Sequence, residues 1–134
     1  MEFYGINIIA ALLAALGFMV VGFLWYGPLF GKQWMKLHGW SEEDFKGQSM
    51  VPVLVQGVIN ALITAIGMAL VFHWLSVDSV GEALHIAFVL WIAFSATTQA
   101  LAYIYERQKL GLTLIHFGNQ LVGFLLAATI LALF

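Results

Sequence analysis

Residues 6–34 read INIIAALLAALGFMVVGFLWYGPLFGKQW, and this stretch decides the fold. Its first 20 or so positions carry no charge, and at about 1.5 Å per residue they match a hydrocarbon core of about 30 Å. Glu2 precedes the apolar run and the first basic residue, Lys32, follows it. A cleaved signal peptide has the opposite order, with basic residues ahead of a shorter core, so the segment reads as a permanent span. At its end Trp25 and Tyr26 suit the headgroup level. Pro28 then cannot continue the helix, and Gly27 and Gly31 allow the chain to turn along the membrane surface.

Working outward, three more apolar runs follow, giving spans at about 6–27, 51–75, 82–105 and 112–134 around a long loop at 28–50. The expected fold is all-α: one polytopic membrane domain of four transmembrane helices, with short interfacial helices in the first loop. Pro52 sits near the first turn of the second span, where its missing N–H costs nothing, and Ser79 is placed to cap the third. All five Lys and Arg residues (Lys32, Lys36, Lys46, Arg107, Lys109) fall in the two loops that alternate with these spans. Basic loops resist translocation. The expectation is an inner-membrane protein with both loops cytoplasmic, both termini outside and a single orientation, which argues against an antiparallel dual-topology pair. Trp25, Tyr26, Tyr103 and Tyr105 would form the cytoplasmic aromatic belt, and Tyr4 and Trp74 the outer one.

Composition agrees: 63% hydrophobic and 9% charged residues, with a mean hydropathy of +0.97, leave too little polar surface to coat a soluble globule. The bilayer is the first partner. A net charge of −2 gives no reason for a nucleic-acid partner. The chain has no Cys, so it has neither disulfide nor thiolate chemistry. Every acid (Glu2, Glu42, Glu43, Asp44, Asp78, Glu82, Glu106) lies outside the spans or at their ends, leaving no embedded carboxylate to exchange protons. HExxH, GxSxG and phosphate-cradling glycine loops are absent, and Ser95 has no evident base on its own helix. No enzyme and no cofactor is expected.

In the first loop Phe30, Trp34 and Leu37 share one helical face with Lys32 and Lys36 elsewhere, which predicts a short helix lying in the interface. Ser41 and Asp44 have capping-box spacing, with Trp40 and Phe45 at the staple positions, so a second short helix starts at Glu42. A surface connector is the simplest role; a gate or a docking point for a membrane-protein partner is the other. The stretch Trp25-Tyr26-Gly27-Pro28-Leu29-Phe30-Gly31-Lys32-Gln33-Trp34, the downstream Ser41-Glu42-Glu43-Asp44 and Gly118-Asn119-Gln120 resemble the bacterial membrane family catalogued as domain of unknown function 1761. The resemblance covers essentially the whole chain. It implies a compact four-span protein and carries no activity to any residue.

Polar residues within the spans are where chemistry can reside. Gln56, Asn60 and Thr64 form one stripe of the second span beside the small-residue stripe Gly57, Ala61, Ala65, Ala69. Ala83, Ala87, Trp91, Ser95 and Gln99 share a face of the third span; Asn119, Gly123 and Ala127 share one of the fourth, with Gln120 adjacent. Counted from the cytoplasmic ends, Asn60, Gln99, Asn119 and Gln120 lie roughly 9 to 14 Å deep and are expected to meet in one layer. That layer is either a hydrogen-bonded clamp or a polar pocket or pathway for a small solute. His116, one turn before Asn119, belongs near it, and Trp91 near the bilayer centre should face inward with Thr64 as a candidate partner. His38 reads as a surface residue. His73 and His85 flank the outer loop near Glu82 and form a weak candidate metal or pH-sensing pair. Small residues around the first span (Ala10, Ala11, Ala14, Ala15, Gly17, Gly22), with Ala128 and Ala132, exceed what one bundle needs, so a parallel homodimer or small homo-oligomer is expected.

Overall fold

The computed structural model describes the backbone of Glu2–Phe3 and of residues 5–134, with side chains from Gly5 onward; Tyr4, expected in the outer belt, lies outside the described residues. The chain opens with a minimal antiparallel ladder, β1 (Glu2–Phe3) on β2 (Ile6–Asn7), in the register Glu2 to Asn7, with Gly5 supplying a φ of 78°. Asn7 then caps α1 (Ile8–Leu24), its Oδ1 accepting the Ile9 and Ala10 N–H groups at 3.0 and 3.2 Å. The first helix therefore starts two residues later than its apolar run, because an Asn side chain satisfies the orphan N–H groups better as a cap than from inside the helix.

Pro28 does not end this helix. α1 runs on into a π-helical turn, Trp25–Leu29, that contains it. The Phe30 N–H donates to the Trp25 carbonyl at 2.9 Å, five residues back, and this wider turn makes room for the ring that would clash with a carbonyl four residues back. The redirection comes at Phe30–Gly31 instead, where a Cβ on Gly31 would stand 2.7 Å from the Tyr26 carbonyl oxygen. The interfacial helix α2 (Gly31–His38) follows and stops at Gly39, whose φ is 73°. A 3-10 turn, Glu42–Phe45, carries the expected capping box, with the Ser41 N–H donating to Asp44 Oδ2 at 2.7 Å. Trp40 stacks on His38 at 3.9 Å and meets Phe45 edge-on at 5.7 Å, the anticipated staple.

The second span is α3 (Val51–Trp74), with Pro52 in its first turn. The third is α4 (Val80–Leu90), a π-helical turn Trp91–Ala96, and α5 (Thr97–Tyr105), entered through Ser79, whose Oγ accepts the Glu82 N–H at 3.2 Å. The fourth is α6 (Leu110–Leu133). The four spans, Ile8–Leu29, Val51–Trp74, Val80–Tyr105 and Leu110–Leu133, have 22, 24, 26 and 24 residues. At about 1.5 Å per residue each is long enough to cross a bilayer with some tilt. The molecule is an all-α, multi-pass membrane protein.

α1 is the hub, packed between α3 and α6, and α6 in turn carries α4 and α5. α3 and α4, consecutive in the chain, hardly touch. The contacts are made by small residues: Ala14, Ala15, Ala61, Ala65, Ala83, Ala87, Ala127 and Ala128 form the core around Met68 and Phe72. Of the small residues expected to favour a second copy, Ala10, Ala11, Ala14, Ala15, Gly17 and Ala128 are buried within one chain, while Gly22 and Ala132 are half-buried. A helix between two neighbours needs two such faces.

Candidate functional site

Gly57 and Ala61 turn toward α1, where a Cβ on Gly57 would meet the Met19 Cε at 3.5 Å. The neighbouring polar stripe therefore lies at the edge of the contact and not inside it: Gln56 and Asn60 are exposed and Thr64 is half-buried, a correction to the expectation that this whole face is interior. Across from it α6 presents Asn119 and Gln120. Asn60, Thr64, Asn119 and Gln120 together line a half-open cavity of about 150 Å³, walled by Phe18, Met19, Gly57 and Ala61. Asn60 and Asn119 each stand nine residues into their helices from the basic end, roughly 14 Å deep.

The amides of this layer do not bond one another. Thr64 Oγ1 donates to the Asn60 carbonyl of its own helix at 3.0 Å. Among the described residues the side chains of Asn60, Asn119 and Gln120 make no hydrogen bond, and Asn119 Oδ1 is buried without a partner. Gln99 does not join them. It sits on α5, its Oε1 likewise buried and unpaired, and it does not line the cavity. α5 packs on α6 and α3 on α1, so the third span cannot bring Gln99 around to Asn60.

Beside the bonds of Asn7 Nδ2 to the Phe134 carbonyl at 3.1 Å and Lys109 Nζ to the Leu37 carbonyl at 2.8 Å, the bonds that tie the helices together come from aromatic side chains. Trp25 Nε1 donates to the Ile115 carbonyl at 2.8 Å from the first span, and Trp91 Nε1 donates to the Phe117 carbonyl at 3.1 Å from the third. Between them the Tyr26 hydroxyl and His116 Nδ1 share a hydrogen bond. Three consecutive residues of α6 are thus held from two sides, each Trp standing at the start of a π-helical turn. The expected Trp91 to Thr64 pairing fails because α3 and α4 splay apart and the indole N–H is taken by the Phe117 carbonyl. His116 is bound to Tyr26 and does not line the cavity. Trp25 and Tyr26, expected as free belt residues, are half-buried against α6, whereas Tyr103, Tyr105 and Trp74 are exposed as belt residues should be. Gly118 was the sequence signal for this arrangement, because the Trp25 ring lies where its side chain would be.

The other candidates are dispersed. Ser95 is half-buried in the second π-helical turn and makes no hydrogen bond among the described residues. Gly27 and Pro28 lie in the first π-helical turn, Lys32 is exposed, and Trp34 packs against Tyr26 and Trp40 with ring centroids 5.4 and 5.3 Å apart. His73 lines a cavity of about 210 Å³ at the end of the bundle away from the lysines, with Gly5 and Asn7, to which His85 does not contribute. No group of three His, Asp or Glu residues among those described could hold a metal ion. Sequence reasoning did not find a second opening, a cleft of about 290 Å³ between α3 and the third span, with Thr64, Gly67, Leu90 and Phe94 on its walls and Phe124 of α6 behind. It shares Thr64 with the amide cavity, and it exists because α3 and α4 diverge.

The chain belongs to the family described as Protein of unknown function (DUF1761), which matches residues 9–132. No curated protein and no solved structure matches it.

Proposed function

We propose that this member of a family of unknown function binds and passes a small uncharged or weakly charged solute at the cavity between α1, α3 and α6. The observation that carries the reading is the cavity's lining, on which Asn60, Asn119 and Gln120 converge with amide side chains that make no hydrogen bond among the described residues. A polar group left unpaired away from water costs about 1–3 kcal/mol, and a solute or water that bonds these amides removes that cost. A volume of about 150 Å³ accommodates several waters or a solute of a few heavy atoms. Among the described residues no ionisable side chain lines the cavity, so an ion entering it would lack the counter-charge it needs at this depth. The competing role, in which the amides are structural glue, is disfavoured because no amide of this layer bridges two helices among the described residues while Trp25, Trp91 and Tyr26 do. We further infer that the basic end of the bundle faces the cytoplasm of an inner membrane, from the rule that Lys and Arg are retained there.

The absence of native Cys makes the test clean. Asn119→Cys in reconstituted vesicles should react with a small methanethiosulfonate reagent, while Ala127→Cys, fully buried in the core, should not. Glycerol and urea uptake by the same vesicles, followed by light scattering, should fall in Asn119→Leu, and its unfolding free energy should change by less than about 1 kcal/mol. No labelling at position 119 together with a loss of more than about 2 kcal/mol in Asn119→Leu would refute the solute reading and leave the structural one.

A further inference from the structure

A second kind of opening lies at the basic end of the molecule, away from the amide cavity. It is a groove of about 530 Å³ between the interfacial helix α2 and the first turns of α6, lined by Gln33, Lys36, Leu37, Lys109, Leu114 and Ile115. Gly111 lets Leu37 pack close against α6, since a Cβ there would stand 3.0 Å from Leu37 Cδ1. From the groove's geometry we infer that it holds an anionic phospholipid, with the phosphate between Lys36 and Lys109 and an acyl chain along Leu114.

Charge complementarity selects the headgroup. Lys36 makes neither an ion pair nor a hydrogen bond among the described residues, and no Asp or Glu lines the groove. Lys109 donates one of its three N–H groups to the Leu37 carbonyl at 2.8 Å, which fixes its ammonium at the rim and leaves two donors free. The first turn of α6 carries no side-chain cap, and the positive end of its dipole lies next to Lys109. Gln33 is exposed and adds an amide donor. Apolar chemistry selects the rest of the ligand. Leu114 is 55% exposed one turn deeper than the lysines, so a molecule whose phosphate sits at Lys109 has its chain in contact with leucine and in line with the bilayer. Free phosphate would use only the rim.

Native mass spectrometry of the detergent-solubilised protein, titrated with phosphatidylglycerol or phosphatidylcholine, tests the assignment. Phosphatidylglycerol should be retained preferentially, and Lys36→Gln or Lys109→Gln should each weaken that retention about five-fold. Lys32→Gln and Lys46→Gln remove the same charge from the same end outside the groove and should change it less than two-fold. Millimolar inorganic phosphate should not displace the lipid, and Leu114→Asn should weaken it. Lys36→Gln, which breaks no hydrogen bond, carries the test alone if Lys109→Gln does not fold. Equal retention of the two lipids, equal losses from Lys32→Gln and Lys36→Gln, or displacement by free phosphate would overturn the inference.

Discussion

Replacing Gly118 by Ala adds one methyl group to a helix, a change that ordinarily stabilises by about 0.5–1 kcal/mol because Gly pays more backbone entropy. Here the sign should reverse. The new Cβ would stand 2.5 Å from Trp25 Cζ2 and 3.4 Å from its Cε2 and Cη2, so either the ring or the helix must move. Overpacking of this kind costs about 1–3 kcal/mol. If the indole swings away it also abandons the 2.8 Å bond to the Ile115 carbonyl, and interhelical hydrogen bonds in membranes average about 0.6 kcal/mol. Subtracting the propensity gain leaves a net destabilisation of about 1–3 kcal/mol. Reversible unfolding in mixed dodecyl sulfate micelles, read by tryptophan fluorescence, measures it against Gly22→Ala. A Cβ on Gly22 meets nothing within 4 Å, and that variant should be neutral or slightly more stable. Trp25→Ala should abolish most of the difference in a double-mutant cycle. If Gly118→Ala behaves like Gly22→Ala, Trp25 does not lie across α6 and the account of how the first span is anchored is wrong.

Two further outcomes separate the readings of individual residues. Trp91→Phe removes the donor to the Phe117 carbonyl and should cost about 1–2 kcal/mol in the same unfolding assay, while Thr64→Val, whose hydroxyl bonds only its own helix, should cost less than about 0.5 kcal/mol; comparable losses would favour a Trp91 to Thr64 contact. In intact cells Asp78→Cys should react with an impermeant thiol reagent and Lys36→Cys should not, and labelling at position 36 would invert the proposed orientation.

The spans, caps and interfacial helices were legible because each rests on local chemistry. An uncharged run long enough for a bilayer, Ser79 ahead of Glu82, and Ser41 with Asp44 depend on neighbours within a few residues. Helix rotation was partly legible. Alanines at positions 61, 65, 83, 87 and 127 are buried as their spacing required, yet the adjacent Gln56 and Asn60 are exposed, since a stripe beside a packing face can fall on either side of its edge. Pairing between helices was not legible. The meeting of Asn60 with Asn119 and Gln120 followed from equal depth, but depth alone does not say that Gln99 stays out of the cavity or that Trp91 reaches Phe117. The π-helical turns were hidden for a related reason: Pro28 reads as a helix terminator, and only the tertiary contact of Trp25 with α6 accounts for the helix running past it.

The divergence of α3 from α4 has a consequence for biosynthesis. The two spans leave the ribosome one after the other, joined by a short loop, but neither offers the other a surface. α3 docks at once on α1, already in the membrane. The third span has to wait, because its packing face and the acceptor of its indole N–H both belong to α6. Twenty-six residues separate Trp91 from Phe117, so at roughly 5–20 residues per second an unpaired polar group sits in lipid for about 1–5 s. α6 acts as the keystone: until it inserts, the chain is a two-helix pair with a solitary third helix beside it. A truncation before Leu110 should therefore leave not a smaller bundle but a substrate for membrane quality control.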